Sequence, residues 1–257
     1  MVSEINFQDV ENQWFNIRGG VLKQRFESRN IPVELIDDSE GVYNYIREFV
    51  ASHKDINTIA FSDGVTLYQL DLFDWARQQF SDKEIIQPLR RTPNGHYFVF
   101  GEQPDGKLNL PKEEFDEKMA EWYEGCRKSL LSDLLIISAN AITLHGEIVS
   151  VDGLGNRVSG MIFGPRHVLV IVGRNKIVPD VESAQNRIRN NVAPMTFIRH
   201  NLKHHTNFVD LPCLKVGRCM DCSQPQSACR DWVIIRGQNN RHKDRIHLLV
   251  VNKDLGF

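Results

Sequence analysis

Four short apolar runs constrain this chain most: NTIAFS at 57–62, DLLIISAN at 133–140, HVLVIVG at 167–173 and IHLLVVN at 246–252. A strand with one wet face alternates apolar and polar residues, whereas a strand covered on both faces stays apolar throughout, as a parallel sheet between helices requires. PVELID at 32–37, KEIIQPL at 83–89 and WVIIRG at 232–237 read as further strands. AITLHGEIVSVDG reads as a hairpin turning at His145 and Gly146.

Helical patterns separate these runs. Residues 39–52 set Val42, Tyr45, Ile46 and Val50 on one face. Residues 111–131 start on proline, continue with an acidic first turn, and align Phe115, Met119, Trp122, Cys126 and Leu130 in one stripe. Cys126 is therefore expected in the core. Residues 6–29 are helical in pattern with Phe7, Val10, Trp14 and Phe15 on one side, and Gly19 with Gly20 predicts a break. Further helices are expected after Thr66 and over 181–191, while 90–111 reads as irregular with a hairpin at 97–100. The alternation predicts a single α/β domain of three layers around a mixed, mostly parallel sheet. Two features are added to it, an N-terminal helical segment at 1–30 and a cysteine loop at 213–229.

With 257 residues, 41% hydrophobic and 25% charged, the chain can bury a sizeable core. No apolar stretch approaches the ~18 residues of a membrane span, and MVSEINFQDVENQ lacks the basic-then-apolar order of a secretory leader. A cytoplasmic protein is expected. Residues 1–132 carry 15 Lys and Arg against 23 Asp and Glu, and residues 133–257 carry 16 against 10. The second part therefore suits an anionic ligand, or it neutralises the first across a packed interface. No nucleic-acid module is recognisable.

Cys213, Cys219, Cys222 and Cys229 lie in LPCLKVGRCMDCSQPQSACR, two of them as a C-x2-C pair. Crowded into one loop, they point to a metal rather than to a disulfide framework. Four thiolates suit tetrahedral zinc or an iron–sulfur cluster, and the unequal arms around a single C-x2-C favour the cluster, [4Fe–4S], over zinc. His200, His204 and His205 precede the loop and offer further ligands.

In a parallel sheet, ligands sit where loops leave the C-terminal ends of strands. Four loops have suitable residues there: 62–66 with Thr66, 140–143 with Asn140 and Thr143, 152–157 with Asp152, Gly153, Gly155, Asn156 and Arg157, and 173–176 with Asn175 and Lys176. Amides, hydroxyls and cations in this combination suit a carboxylate or phosphate. In a non-redox enzyme Lys176, Arg157 or Arg174 would hold the anion and Asp152 would act as acid or base, and Asp152 and Lys176 are the catalytic candidates. DGLGNRV lacks the third glycine of a dinucleotide fingerprint and does not open a clear helix, and neither a P-loop nor a G-x-S-x-G elbow is present. The metabolite site is expected in these loops, apart from the cysteines.

SDLLIISANAIT, EIVSVDGLGNRVSGMIFGPRHVLVIVGRNKIV, the cysteine loop and RIHLLVVNKDLGF together resemble the lactate-utilization (LUD) domain family, in its longer branch with a C-terminal four-cysteine segment. The resemblance implies a Rossmann-like three-layer fold, similar to the sugar-phosphate isomerase, CoA-transferase and formyltetrahydrofolate cyclo-ligase group. It also implies a redox component, or a subunit of an oxidoreductase system, in lactate-type oxidation, with an iron–sulfur partner subunit. The alternative is a non-redox enzyme on a phosphorylated sugar or folate-like metabolite with structural zinc. A homo-oligomer is compatible with both.

Overall fold

The computed structural model describes residues 5–88, 111–203 and 209–257. The hairpin expected at 97–100, with His204 and His205, lies outside these residues. In chain order the elements are α1 (Phe7–Glu27), β1 (Val33–Ile36), α2 (Ser39–Ser52), β2 (Thr58–Phe61), α3 (Val65–Gln69), α4 (Leu72–Gln79) and β3 (Glu84–Ile86). Next come α5 (Lys112–Ser129), β4 (Leu134–Ile137), β5 (Ala141–Thr143), β6 (Ile148–Asp152), α6 (Asn156–Ile162), β7 (His167–Gly173) and β8 (Ile177–Val178). The chain closes with α7 (Val181–Arg187), α8 (Ala193–Lys203), α9 (Pro212–Val216), β9 (Asp231–Ile235) and β10 (Ile246–Val251).

Six strands form one parallel sheet in the order β1-β10-β7-β4-β2-β3. Its apolar runs serve two cores because successive side chains point to opposite faces. Ile59, Phe61, Leu134, Ile136, Leu169 and Leu249 pack towards α2, α3 and α4. Ala60, Leu135, Ile137, Val168, Val170, Leu248 and Val250 pack towards α1, Met161 of α6 and a second sheet. Leu134, Ile136, Val170 and Leu248 are completely buried, and truncating Leu134, Ile136 or Leu248 to alanine costs about 2–5 kcal/mol.

The second sheet, β8-β5-β6-β9, is mixed and carries α7 on its outer side through Ala141, Val149, Ala184 and Ile188. It absorbs the expected hairpin, β5 antiparallel to β6, and the strand expected at 232–237, which pairs with β6. The fold is thus the expected Rossmann-like α/β sheet flanked by helices, with a small sheet built into one of its flanking layers.

Two local expectations are corrected. α1 runs unbroken through Gly19 and Gly20. Gly19 allows close packing, since a β-carbon there would lie 2.4 Å from Leu35 Cδ1. DGLGNRV does open a helix, α6, at whose N-cap Gly155 takes φ +76°. β6 nevertheless belongs to the mixed sheet, so the dinucleotide arrangement does not follow.

Candidate functional site

β2 runs on to β3 on one side and β4 lies on its other side, so the strand order reverses between β2 and β4. Open α/β sheets place ligand crevices outside the strand ends at such a point. A cavity of about 260 Å³ lies there, lined by Asp63, Gly64 and Thr66 after β2 and by Ser138, Ala139 and Asn140 after β4. Asp152, Gly153, Asn156 and Arg157 of the β6–α6 loop, together with Lys176, complete that part of its wall.

Lys176 is 5% exposed. Its Nζ donates to Thr66 Oγ1 (2.8 Å), Ser138 Oγ (3.0 Å) and the Ala139 carbonyl (3.1 Å). No carboxylate forms an ion pair with it among the described residues. Those three acceptors favour the ammonium, but burial, then the charges of Arg187 and Arg157, pull its pKa down to about 7. Near neutral pH the buried amine therefore stands between its charged and neutral forms, and a nearby anion would favour the charged one.

The carboxylates on the wall are already engaged. Asp152 Oδ1 accepts the Gly153 and Leu154 N–H groups (2.7 and 3.4 Å), and Oδ2 those of Arg157 and Val158 (3.1 and 3.3 Å). Its side chain also faces Arg157 Nε at 3.6 Å. Asp152 thus holds its loop and the first turn of α6, and every oxygen is occupied without a substrate. Arg157 in turn donates to the Ser138 and Val151 carbonyls and to Asn140 Oδ1, tying the end of β4 to the end of β6. Asp63 pairs with Arg199 at 3.2 Å, and Arg199 lies over the Tyr68 ring at 5.5 Å.

Of the residues expected in a binding site, Thr66, Asn140, Asp152, Gly153, Asn156, Arg157 and Lys176 line this one cavity. Thr143, Gly155 and Asn175 do not. Thr143 is buried in the β5–β6 hairpin, where it donates to Glu147 and accepts the Glu147 N–H (3.0 Å). Gly155 serves the turn into α6. Asn175 pins the segment at 254–257, its Nδ2 donating to the Gly256 carbonyl (3.2 Å) and its Oδ1 accepting the Leu255 N–H (3.1 Å). That segment brings Gly256 and Phe257 to the cavity, with Gly256 so near Lys176 that a β-carbon would lie 2.9 Å from Nζ. Arg174 faces away, to Glu11 (2.9 Å) and Asp254 (3.1 Å).

Thr196, Phe197 and Arg199 of α8 and Trp122 of α5, which no motif singles out as site residues, also line the cavity. The period of APMTFIRH was the signal available for α8.

The cysteine segment forms part of the same wall, and this corrects its expected separation from the metabolite loops: Ala228 and Cys229 line the cavity. Cys213, at the start of α9, packs with Phe197, Val209 and Leu211, and Cys222, Ala228 and Cys229 pack against that cluster. All four cysteines are free, as is the buried Cys126, whose thiol burial pushes up to about 11. The Cys213 and Cys229 thiols are also pushed up, first by burial, Cys213 further by the charges of Cys222 and Cys219 and Cys229 by those of Cys219, Cys213 and Cys222. Cys219 Sγ accepts the Asp221 N–H at 3.4 Å. Arg230 braces the loop by donating to the carbonyls of Ser227, Gln224 and Pro225 (3.0, 2.9 and 3.1 Å). By chemistry this is a soft, four-sulfur donor set. As placed, no group of three or more His, Cys, Asp or Glu among the described residues is arranged to hold a metal ion. Nor is any described helix long and apolar enough to cross a membrane.

The profile of the LUD domain family matches residues 20–251. No curated protein matches the chain. Among solved structures the chain is similar to a DUF162 family protein from Deinococcus radiodurans, at 9% identity and a TM-score of 0.47, over 93% of this chain and 98% of that one.

Proposed function

Because the chain belongs to the LUD domain family, we propose that its cavity binds a small anionic metabolite and that the adjoining cysteines hold a redox centre, making it a cytoplasmic component of lactate-type organic acid oxidation. One observation carries this reading: a single cavity is lined both by Lys176, buried with no carboxylate partner among the described residues, and by Cys229.

A carboxylate entering the cavity supplies the counter-charge that Lys176 lacks, and in a buried site that pairing is stronger than in water. Thr66 and Ser138 orient the amine, and both hydroxyls remain able to turn towards a ligand oxygen. Arg157 and Arg187 add positive field while their donors stay on the Ser138, Val151 and Asn140 carbonyls and on Asn175, so the strand ends do not move when the ligand arrives. Cys213, Cys219, Cys222 and Cys229 would hold an iron–sulfur cluster, [4Fe–4S] by their number and softness. When bound, such a cluster supplies single-electron transfer, to be relayed to a partner subunit.

Anaerobic purification with iron and sulfide analysis, absorption and spin-resonance spectroscopy tests the redox part. A brown protein with a reducible cluster is expected. A colourless protein holding one equivalent of zinc overturns electron transfer and favours the second reading, a non-redox enzyme on a phosphorylated sugar or folate-like metabolite, for which Lys176 suits a phosphate equally well. Thermal-shift screening against both ligand classes separates the two.

A further inference from the structure

α1 has two apolar faces, and among the described residues the body of the protein covers only one. Phe15, Leu22 and Phe26 are buried, and Gly19 sits on Leu35. Phe7, Val10, Trp14, Ile17 and Val21 are exposed by 80%, 53%, 57%, 61% and 39%. They recur at steps of three, four, three and four residues, the alternation of the a and d positions in paired helices. Side chains of this size leave on the order of 500 Å² of apolar surface open, as much as the largest patch on a typical monomer.

Gly20 adds a second observation. A β-carbon there would meet nothing within 4 Å, yet glycine in a helix interior costs about 1 kcal/mol relative to alanine. No described residue occupies the space beside it, which leaves room for a neighbouring helix to pass close to Ile17 and Val21.

We propose that two copies of this chain dimerise by pairing their α1 helices antiparallel along this stripe. A two-fold interface must be self-complementary, and two antiparallel registers meet that condition. One sets Phe7 against Ile17 and Val10 against Trp14 of the second copy but faces Glu11 with Glu11. The other, which avoids that repulsion, sets Trp14 against Ile17 and Val10 against Val21. The same register brings Glu11, which also pairs with Arg174 of its own chain, beside Arg18 of the second copy, which also donates to its own Ile177 carbonyl, so opposite charges meet on the flank. A parallel pair sets Gln13 and Gly20 against Arg18 and Arg25 and forms no such pairs. A stable interface buries about 800 Å² per partner. The stripe supplies more than half of that, and flanking polar residues form the rim.

Sedimentation velocity and light scattering on the full chain test this. The mass expected in the micromolar range is twice the 29.6 kDa of one chain. Trp14→Glu and Val10→Lys, both outside the core, are expected to give folded monomers with unchanged circular dichroism. Gly20→Leu, harmless to an isolated helix, is expected to weaken the dimer at least tenfold. A native chain that is monomeric in this range, or joins only a different protein through α1, overturns the proposal. So does a dimer that survives both Trp14→Glu and Val10→Lys.

Discussion

Gly153 and Ala228 are packed so closely that a β-carbon on Gly153 would lie 2.8 Å from Ala228 Cβ. This contact presses the cysteine segment onto the loop that carries Asp152 and Arg157. Two further ties run beside it: Arg230 N donates to the Asp152 carbonyl at 3.1 Å, and Asp152 pairs with Asp231 in the β6–β9 register. The wall between the cysteines and the cavity is therefore a single backbone unit.

Gly153→Ala forces the two segments apart. The expected loss is about 1–3 kcal/mol of stability, with weaker ligand binding and weaker metal retention together. Thermal unfolding, calorimetry and metal analysis on one preparation check this, and a change confined to one of the three contradicts the shared wall.

Lys176 sets a pH dependence. Its folded pKa is lowered to about 7, whereas an unfolded lysine keeps its proton to about 10.4. Between those values the unfolded chain holds more protons, so stability rises with pH across that window. Below about 7 both states are charged and the dependence on this group vanishes. A bound anion favours the ammonium, so binding above pH 7 takes up a proton and weakens as pH rises. Calorimetry in two buffers of different ionisation enthalpy measures that uptake. Lys176→Met is expected to abolish both uptake and binding while leaving the melting temperature equal or higher.

Asn175→Ala frees the segment at 254–257. Each backbone group left unsatisfied costs about 1–3 kcal/mol, and the Leu255 amide is expected to exchange much faster with solvent. Affinity falls with it, because Gly256 and Phe257 line the cavity. Hydrogen exchange of the wild type and the variant checks the order of effects.

Thr143→Val separates structure from binding. It removes the hydroxyl that bonds buried Glu147, at an expected cost of about 1–3 kcal/mol. Anion affinity is expected to stay unchanged in calorimetry, since Thr143 faces its own hairpin.

The main sheet was legible because LLII, HVLVIV and IHLLVV must be covered on both faces, and only a parallel sheet between layers covers them. The second sheet was not, because the pairing of Asp152 with Asp231 joins residues far apart in sequence and leaves no local period. Lys176 and Thr66 were recognisable as polar residues following apolar runs. Thr143 was misplaced on the same ground, since a hydroxyl after a strand reads alike whether it faces a cavity or Glu147. Gly19 read as a helix breaker because its packing on Leu35 depends on a strand the helix had yet to meet. Arg199 and Phe197 sit on a helix that carries no motif, and the cysteine spacing that points to a metal does not reveal that Cys229 also lines the cavity.

The most direct measurement is spin-resonance spectroscopy on the anaerobically reconstituted protein, with and without a saturating small 2-hydroxy acid, in wild type and Lys176→Met. A cluster signal in both proteins, shifted by the acid only in the wild type, is the expected result. A cluster signal that ignores an acid shown by calorimetry to be bound, or a colourless protein, contradicts a metabolite cavity walled by the redox centre.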